Sequence, residues 1–151
     1  MERVKIQLPP HFAFSTNLPI RITDLNYGGH VGNNTFLSLI HEARVQFLQS
    51  HGYSELSVEG CGLIMCDAAI EFKQELSYGQ VVTIQVTAAN FTKLGFDIYY
   101  QLFTTDANGK LCLAGKAKTG MLCFDYTLKK KVSLPEIAAS KLGGNSNTTL
   151  A

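Results

Sequence analysis

Excess charge of either sign is missing from this chain. Thirteen Lys and Arg stand against twelve Asp and Glu in 151 residues, a formal charge of +1 with His neutral. That balance gives no electrostatic footprint for nucleic acid or an anionic membrane. The single basic cluster, Lys129-Lys130-Lys131, reads as a solvated turn near a strand end. No apolar run approaches bilayer-spanning length, and Met1-Glu2-Arg3-Val4-Lys5 lacks the apolar core of a signal peptide, so a cytoplasmic location without membrane contact is expected. Cysteine is sparse as well. Cys61, Cys66, Cys112 and Cys123 form no CxxC pair and lie mostly in apolar, strand-like surroundings, which points to reduced, packed thiols rather than zinc or redox chemistry. His11, His41 and His51 have no metal-ligand spacing with acidic or thiol partners; they read as structural, and no metal is expected. Internal repeats and low-complexity blocks are also missing.

What the chain does have is apolar content in ordered periods. Hydrophobic residues make up 46 % of it, enough for one domain with a sizeable core. Phe12 to Thr23 reads as an extended first segment whose pairing Pro19 limits. Thr35 to Gln49 carries Phe36, Leu37, Ile40, Ala43, Phe47 and Leu48 on one helical stripe, with His51-Gly52 as its stop. The period then changes to two. Ile64, Cys66, Ala68, Ile70 and Phe72 share one strand face, followed by Val82, Ile84, Val86 and Ala88, then by Phe96, Ile98, Tyr100 and Leu102 within Gly95 to Thr105. Asp106-Ala107-Asn108-Gly109 is a hairpin turn leading to a last strand over Lys110 to Phe124, and a short helix is predicted from Pro135 to Leu142. Consecutive one-faced strands with a single early long helix predict an α+β fold, an antiparallel sheet of about five strands covered by that helix. The domain is expected over residues 1–143, with a disordered Gly/Ser/Asn/Thr tail over 144–151.

Chemistry concentrates between Asp24 and Asn34, a polar, glycine-bearing loop that runs straight onto the long helix. Such a junction presents unpaired backbone N–H groups and the positive end of the helix dipole, suited to polarising a carbonyl. Asp24 can act as a general base or fix the loop by accepting backbone N–H bonds. Asn26 can orient a water or a carbonyl oxygen, or serve as a turn residue before Tyr27-Gly28-Gly29. His30 can shuttle a proton near neutrality or brace the loop. Asn33 offers its peptide N–H to a carbonyl, while Asn33 or Asn34 can also be the helix N-cap. Glu42 falls nearly opposite Ile40 and Phe47 on the helix, as a solvated or interface carboxylate or as a catalytic one.

Asp24-x-Asn26-x-x-Gly29-His30-Val31-Gly32-Asn33, with Phe36-Leu37 and Glu42-Ala43-Arg44 behind it, resembles the Asp-x-Asp-x-x-Gly-His-Val-Asn-Asn segment and Glu-Ala-Arg helix of the hotdog-fold thioesterases, of the 4-hydroxybenzoyl-CoA and long-chain acyl-CoA type. Glu71-Phe72 before Ser77-Tyr78-Gly79-Gln80, and Pro135 after the last strand, add to the resemblance. It implies a sheet wrapped around the helix, a homodimer with active sites between subunits, commonly a homotetramer, and hydrolysis of an acyl-CoA thioester to free acid and CoA. No cofactor is implied beyond the CoA of the substrate. Candidate site residues on this reading are Asp24, Asn26, His30, Asn33 and Glu42. Many family members use the second acid of Asp-x-Asp as the catalytic carboxylate, and that position here is Asn26, an amide that neither takes a proton at neutral pH nor readily attacks a thioester. The alternative is an acyl-CoA or acyl-carrier binding protein of the same fold with little hydrolysis. The hotdog dehydratases are a further relative, less similar in the helix motif.

Overall fold

The computed structural model describes residues 1–144; nearly all of the expected tail lies outside them. Strand β1 spans Phe14–Pro19 and is followed by a 3-10 turn at Ile22–Asp24. Helix α1 spans Asn33–Ser50, and then come β2 (Gly62–Phe72), β3 (Val81–Ala89), β4 (Gly95–Thr105), β5 (Leu111–Asp125), the two-residue β6 (Lys130–Lys131) and α2 (Glu136–Leu142). The sheet is antiparallel throughout, in the order β1-β3-β4-β5-β2, with β6 paired to β5. The β4–β5 hairpin has a local cause. At the β4–β5 turn the Asp106 carboxylate accepts the N–H groups of Asn108 and Lys110, both at 2.9 Å, while Gly109 takes φ +77°.

One core joins helix to sheet. Phe36, Leu39, Ile40, Ala43, Phe47 and Leu48 of α1 bury with Val82, Ile84 and Val86 of β3 and Ile98, Tyr100 and Leu102 of β4. Burying each large apolar side chain contributes about 1.5–3 kcal/mol, so this stripe fixes α1 on the sheet. Gly115 of β5 makes the close approach possible, because a Cβ there would meet the Phe36 ring at 2.5 Å and the Glu71 carbonyl oxygen at 2.9 Å.

Three expectations need correction. Leu37, placed on the buried stripe, is 41 % exposed, and Leu39 and Arg44 are buried on that side of the helix instead. The first segment is extended only over Phe14–Pro19, since Asp24 closes the 3-10 turn after it. The single alternation expected along β2 breaks at Cys66. Met65 pairs with Met121 and Asp67 with Gly120, so Cys66 is the extra residue of a β-bulge and is exposed rather than packed. Cys61 and Cys123 are buried, and burial beside Cys61 pushes the Cys123 thiol up to about 12.

Candidate active site

The loop ahead of α1 is closed by its own backbone. Asn26 N–H donates to the His30 carbonyl at 2.9 Å, and Gly29 N–H donates to the Asn26 carbonyl at 3.1 Å. The Asn26 Oδ1 atom accepts the Gly28 N–H at 2.9 Å, an Asx turn. Gly29 sits at φ +83°, a left-handed conformation that suits glycine. The Leu76 carbonyl accepts the Val31 N–H at 2.9 Å, which ties the loop to the segment after β2.

Helix α1 then starts without a side-chain cap. Gly32 is the N-cap and supplies no side-chain acceptor; neither Asn33 nor Asn34 takes that role, and Asn33 is the first helical residue. The first-turn N–H groups have no intrahelical partners, and the helix dipole adds partial positive charge there. Beside this terminus lies a cavity of about 220 Å³, walled by Val31, Phe36, Phe72 and Leu76 and carrying His30, Asn33 and Glu75. Phe36 and Phe72 meet edge to face at 5.1 Å between ring centroids.

His30 is half-buried in this cavity, with Nδ1 3.2 Å from its neighbour's carbonyl, Val31 O, and Nε2 3.5 Å from Glu75 Oε1. A carbonyl only accepts, so the proton of the neutral ring belongs on Nδ1 and the lone pair on Nε2. That arrangement can take a proton at Nε2, and the Glu75 carboxylate then faces the imidazolium that forms.

The other candidate residues lie elsewhere. Asp24 and Glu42 line a separate cavity of about 330 Å³ with Leu18, Arg21 and Leu39. Asp24 is buried and accepts from Arg21 three times, from the backbone N–H at 2.8 Å, from Nη2 at 3.1 Å and from Nε at 3.4 Å. The Arg21 hydrogen bonds hold its carboxyl below the usual range, which makes it a weak base. Glu42 is exposed and accepts Gln46 Nε2 at 2.8 Å. Asn26 borders neither cavity; its carbonyl-type oxygen is used in the turn.

Sequence reasoning missed Glu75. The Glu71-Phe72 and Ser77 to Gln80 markers bracket it, but its approach to His30 depends on the long-range Val31–Leu76 bond, which no local pattern encodes.

With a long helix laid on an antiparallel sheet and an uncapped helix start facing a small cavity, the profile of the Thioesterase-like superfamily matches residues 20–142. The chain belongs to that superfamily. A Synechocystis protein named as an esterase is 29 % identical over 93 residues, 60 % of this chain and 55 % of that protein, so the chain spans about half the length of that relative. A 1,4-dihydroxy-2-naphthoyl-CoA hydrolase of Crocosphaera subtropica is 28 % identical over 121 residues, covering 78 % of this chain and 87 % of that one. The solved structure of Slr0204, a 1,4-dihydroxy-2-naphthoyl-CoA thioesterase from Synechocystis, superposes with a TM-score of 0.74 at 23 % identity, over 85 % of this chain and 94 % of that chain. This last likeness is one of fold. Among the described residues no helix is long and apolar enough to cross a membrane.

Proposed function

We propose that this superfamily member hydrolyses an acyl-CoA thioester in the cavity at the start of α1. The observation that carries the proposal is the meeting of His30, Glu75 and the uncapped helix terminus within one apolar-walled cavity. The thioester carbonyl oxygen lies toward the first-turn N–H groups at Asn33, where negative charge developing in the tetrahedral intermediate is stabilised. His30 Nε2 takes a proton from a bound water as the oxygen forms a bond to the carbonyl carbon. Collapse of the intermediate breaks the carbon–sulfur bond, and the imidazolium returns its proton to the CoA sulfur. Asn26 shapes the turn that presents His30, and Asp24 holds the loop through Arg21. The reaction needs no metal or resident cofactor. The names of the Crocosphaera and Synechocystis relatives support a CoA thioester as substrate class.

The same proposal takes a homodimer in the cytoplasm as the working form. β2 is an edge strand of eleven residues, with Met65 and Phe72 about half exposed, and Tyr27 projects fully from the active loop. A long edge strand with exposed apolar side chains favours pairing with a second copy. Sedimentation should give twice the chain mass, or four times it if dimers pair; a monomer at micromolar concentration sinks this part.

The competing reading, acyl-CoA binding with little hydrolysis, is favoured by one observation: no carboxylate from the loop or helix reaches the cavity, since Asp24 and Glu42 line the other one. Following thiol release from short-chain, long-chain and aromatic acyl-CoAs decides between the two. Hydrolysis that disappears in His30→Ala and His30→Gln supports the enzyme reading. Binding of acyl-CoA without thiol release supports the other.

A further inference from the structure

An open cavity of about 360 Å³ adjoins the one at the start of α1, and Phe72 and Lys73 belong to the walls of both. Its other walls come from Ile70 and Glu71 at the end of β2 and from Arg3 and Val4 of the segment ahead of β1. One carboxylate anchors that segment. Ile6 is buried, and its N–H donates to Glu71 Oε2 at 2.7 Å. The other Glu71 oxygen lies 3.1 Å from Lys73 Nζ. Glu71 therefore holds both the chain that carries Arg3 and the lysine shared by the two cavities.

The charges here do not cancel. Glu71 is a single carboxylate beside Lys73, with Lys116 directly opposite it in the β2–β5 register. The Ile6 N–H, and after it Lys73, holds the Glu71 carboxyl below its ordinary range, so it is ionised near pH 7. Arg3 is exposed and has no hydrogen bond or ion pair among the described residues. Glu75, the carboxylate of the reaction cavity, faces His30 instead. Three positive side chains thus stand against one negative, whereas in the Asp24 cavity Asp24 and Glu42 outnumber Arg21. A surplus of fixed positive charge suits an anionic ligand.

The reaction cavity, about 220 Å³, is small for a whole CoA thioester, since drug-sized ligands alone fill about 300–1,000 Å³. The part of CoA beyond the sulfur has to leave it, and that part ends in a diphosphate and a ribose phosphate. We infer that the cavity of Arg3 and Lys73 is the anion subsite for the phosphates of the CoA nucleotide, with the pantetheine arm crossing at Phe72 from one cavity to the other. The reading rests on the proposed acyl-CoA hydrolysis. Lys73, at the shared wall, supplies a compact positive charge, and the planar Arg3 guanidinium can donate to two phosphate oxygens at once. Val4, Ile70 and the half-exposed Phe72 give the uncharged arm an apolar surface.

The test compares an acyl-CoA with the same acyl group on pantetheine, which carries no phosphate, and takes the ratio of their kcat/KM values. In the wild type the CoA thioester should be favoured about tenfold or more, the usual effect of one hydrogen bond to a charged group. Raising the salt from about 0.01 M to about 1 M, which shortens the screening length from about 30 Å to about 3 Å, should shrink that ratio. Arg3→Gln and Lys73→Gln should each lower it several-fold, chiefly through the KM of the CoA thioester. The double variant should bring it toward one, and Arg3→Glu should lower it further than Arg3→Gln. Circular dichroism confirms that the variants fold; should Lys73→Gln fail to fold, the exposed Arg3 side chain carries the test. A wild-type ratio near one, or a ratio that survives these substitutions, overturns the inference, while hydrolysis itself stands. Should neither thioester be hydrolysed, the proposed function fails, and calorimetric titration with CoA and with pantetheine decides the subsite: tighter binding of CoA that weakens in Arg3→Gln supports it, and equal affinities, or a CoA affinity unchanged in Arg3→Gln, overturn it.

Discussion

Two cavities flank the first turns of α1, and they differ in how far their polar groups are already committed. In one, Asp24 accepts three hydrogen bonds from Arg21 and Glu42 is engaged by Gln46. In the other, His30 keeps a basic Nε2 facing Glu75, and the helix terminus has no side-chain cap. Acidic residues beside a conspicuous motif can therefore be holding the fold, while the proposed chemistry falls to the groups with spare hydrogen-bonding capacity. The contrast predicts that substitutions in the first cavity act on stability and those in the second on rate.

The largest expected effect tests the second cavity. His30→Ala should lower kcat by 10²–10⁴-fold, the usual contribution of a positioned acid–base group, with little change in melting temperature because, among the described residues, the half-buried ring makes a single hydrogen bond to backbone. Steady-state thiol release and thermal denaturation together check it. A large loss of stability with full specific activity would exchange the roles of the two cavities.

Asp24 is the counterpart. Asp24→Asn should lower the melting temperature by a few degrees and leave kcat within a few-fold. The pH dependence carries the sign: the folded carboxyl ionises below its ordinary range, so its stabilising contribution is full above about pH 4 and is lost as pH falls through the depressed folded value. The gap in melting temperature between wild type and variant should narrow on moving from pH 7 to pH 3. A gap independent of pH would mean that the Arg21 contact does not depend on the Asp24 charge.

The comparison also marks what sequence could reveal. Strand β4 is found over Gly95–Thr105 as its alternation predicted, and α1 extends its predicted span by two residues at one end and one at the other. Periodicity succeeds there because each side chain's environment follows from its own register. It fails at Cys66, where one inserted residue reverses the faces of β2, and at Arg44, whose burial depends on Glu55 in the connection after α1. The loop motif pointed to the family that the profile match shows, but spacing alone did not reveal that Asp24 and His30, six residues apart, line different cavities, or that Glu75 lies beside His30. Those facts follow from long-range contacts, chiefly Val31 to Leu76.

Gly29 connects the two regions, and its substitution sharpens the contrast. At φ +83° no atom lies within 4 Å of where a Cβ would sit, so Gly29→Ala adds backbone strain without a clash. The expected cost is about 1 kcal/mol of stability, readable in urea denaturation. The loss of activity should exceed what that instability explains, because the turn presents His30.

The smallest effect is expected at Glu42, the carboxylate whose place in the Glu-Ala-Arg segment makes it the strongest rival to His30. Its side chain is exposed and held by Gln46 one turn along the helix, and it borders the Asp24 cavity rather than the one at the helix terminus. An exposed pair of this kind contributes a few tenths of a kcal/mol at most. Glu42→Gln should therefore leave both kcat/KM and melting temperature nearly unchanged, with a rate within about twofold of wild type. A hundredfold loss on this substitution would move the general base from His30 to the helix and require the two cavities to communicate in the working assembly.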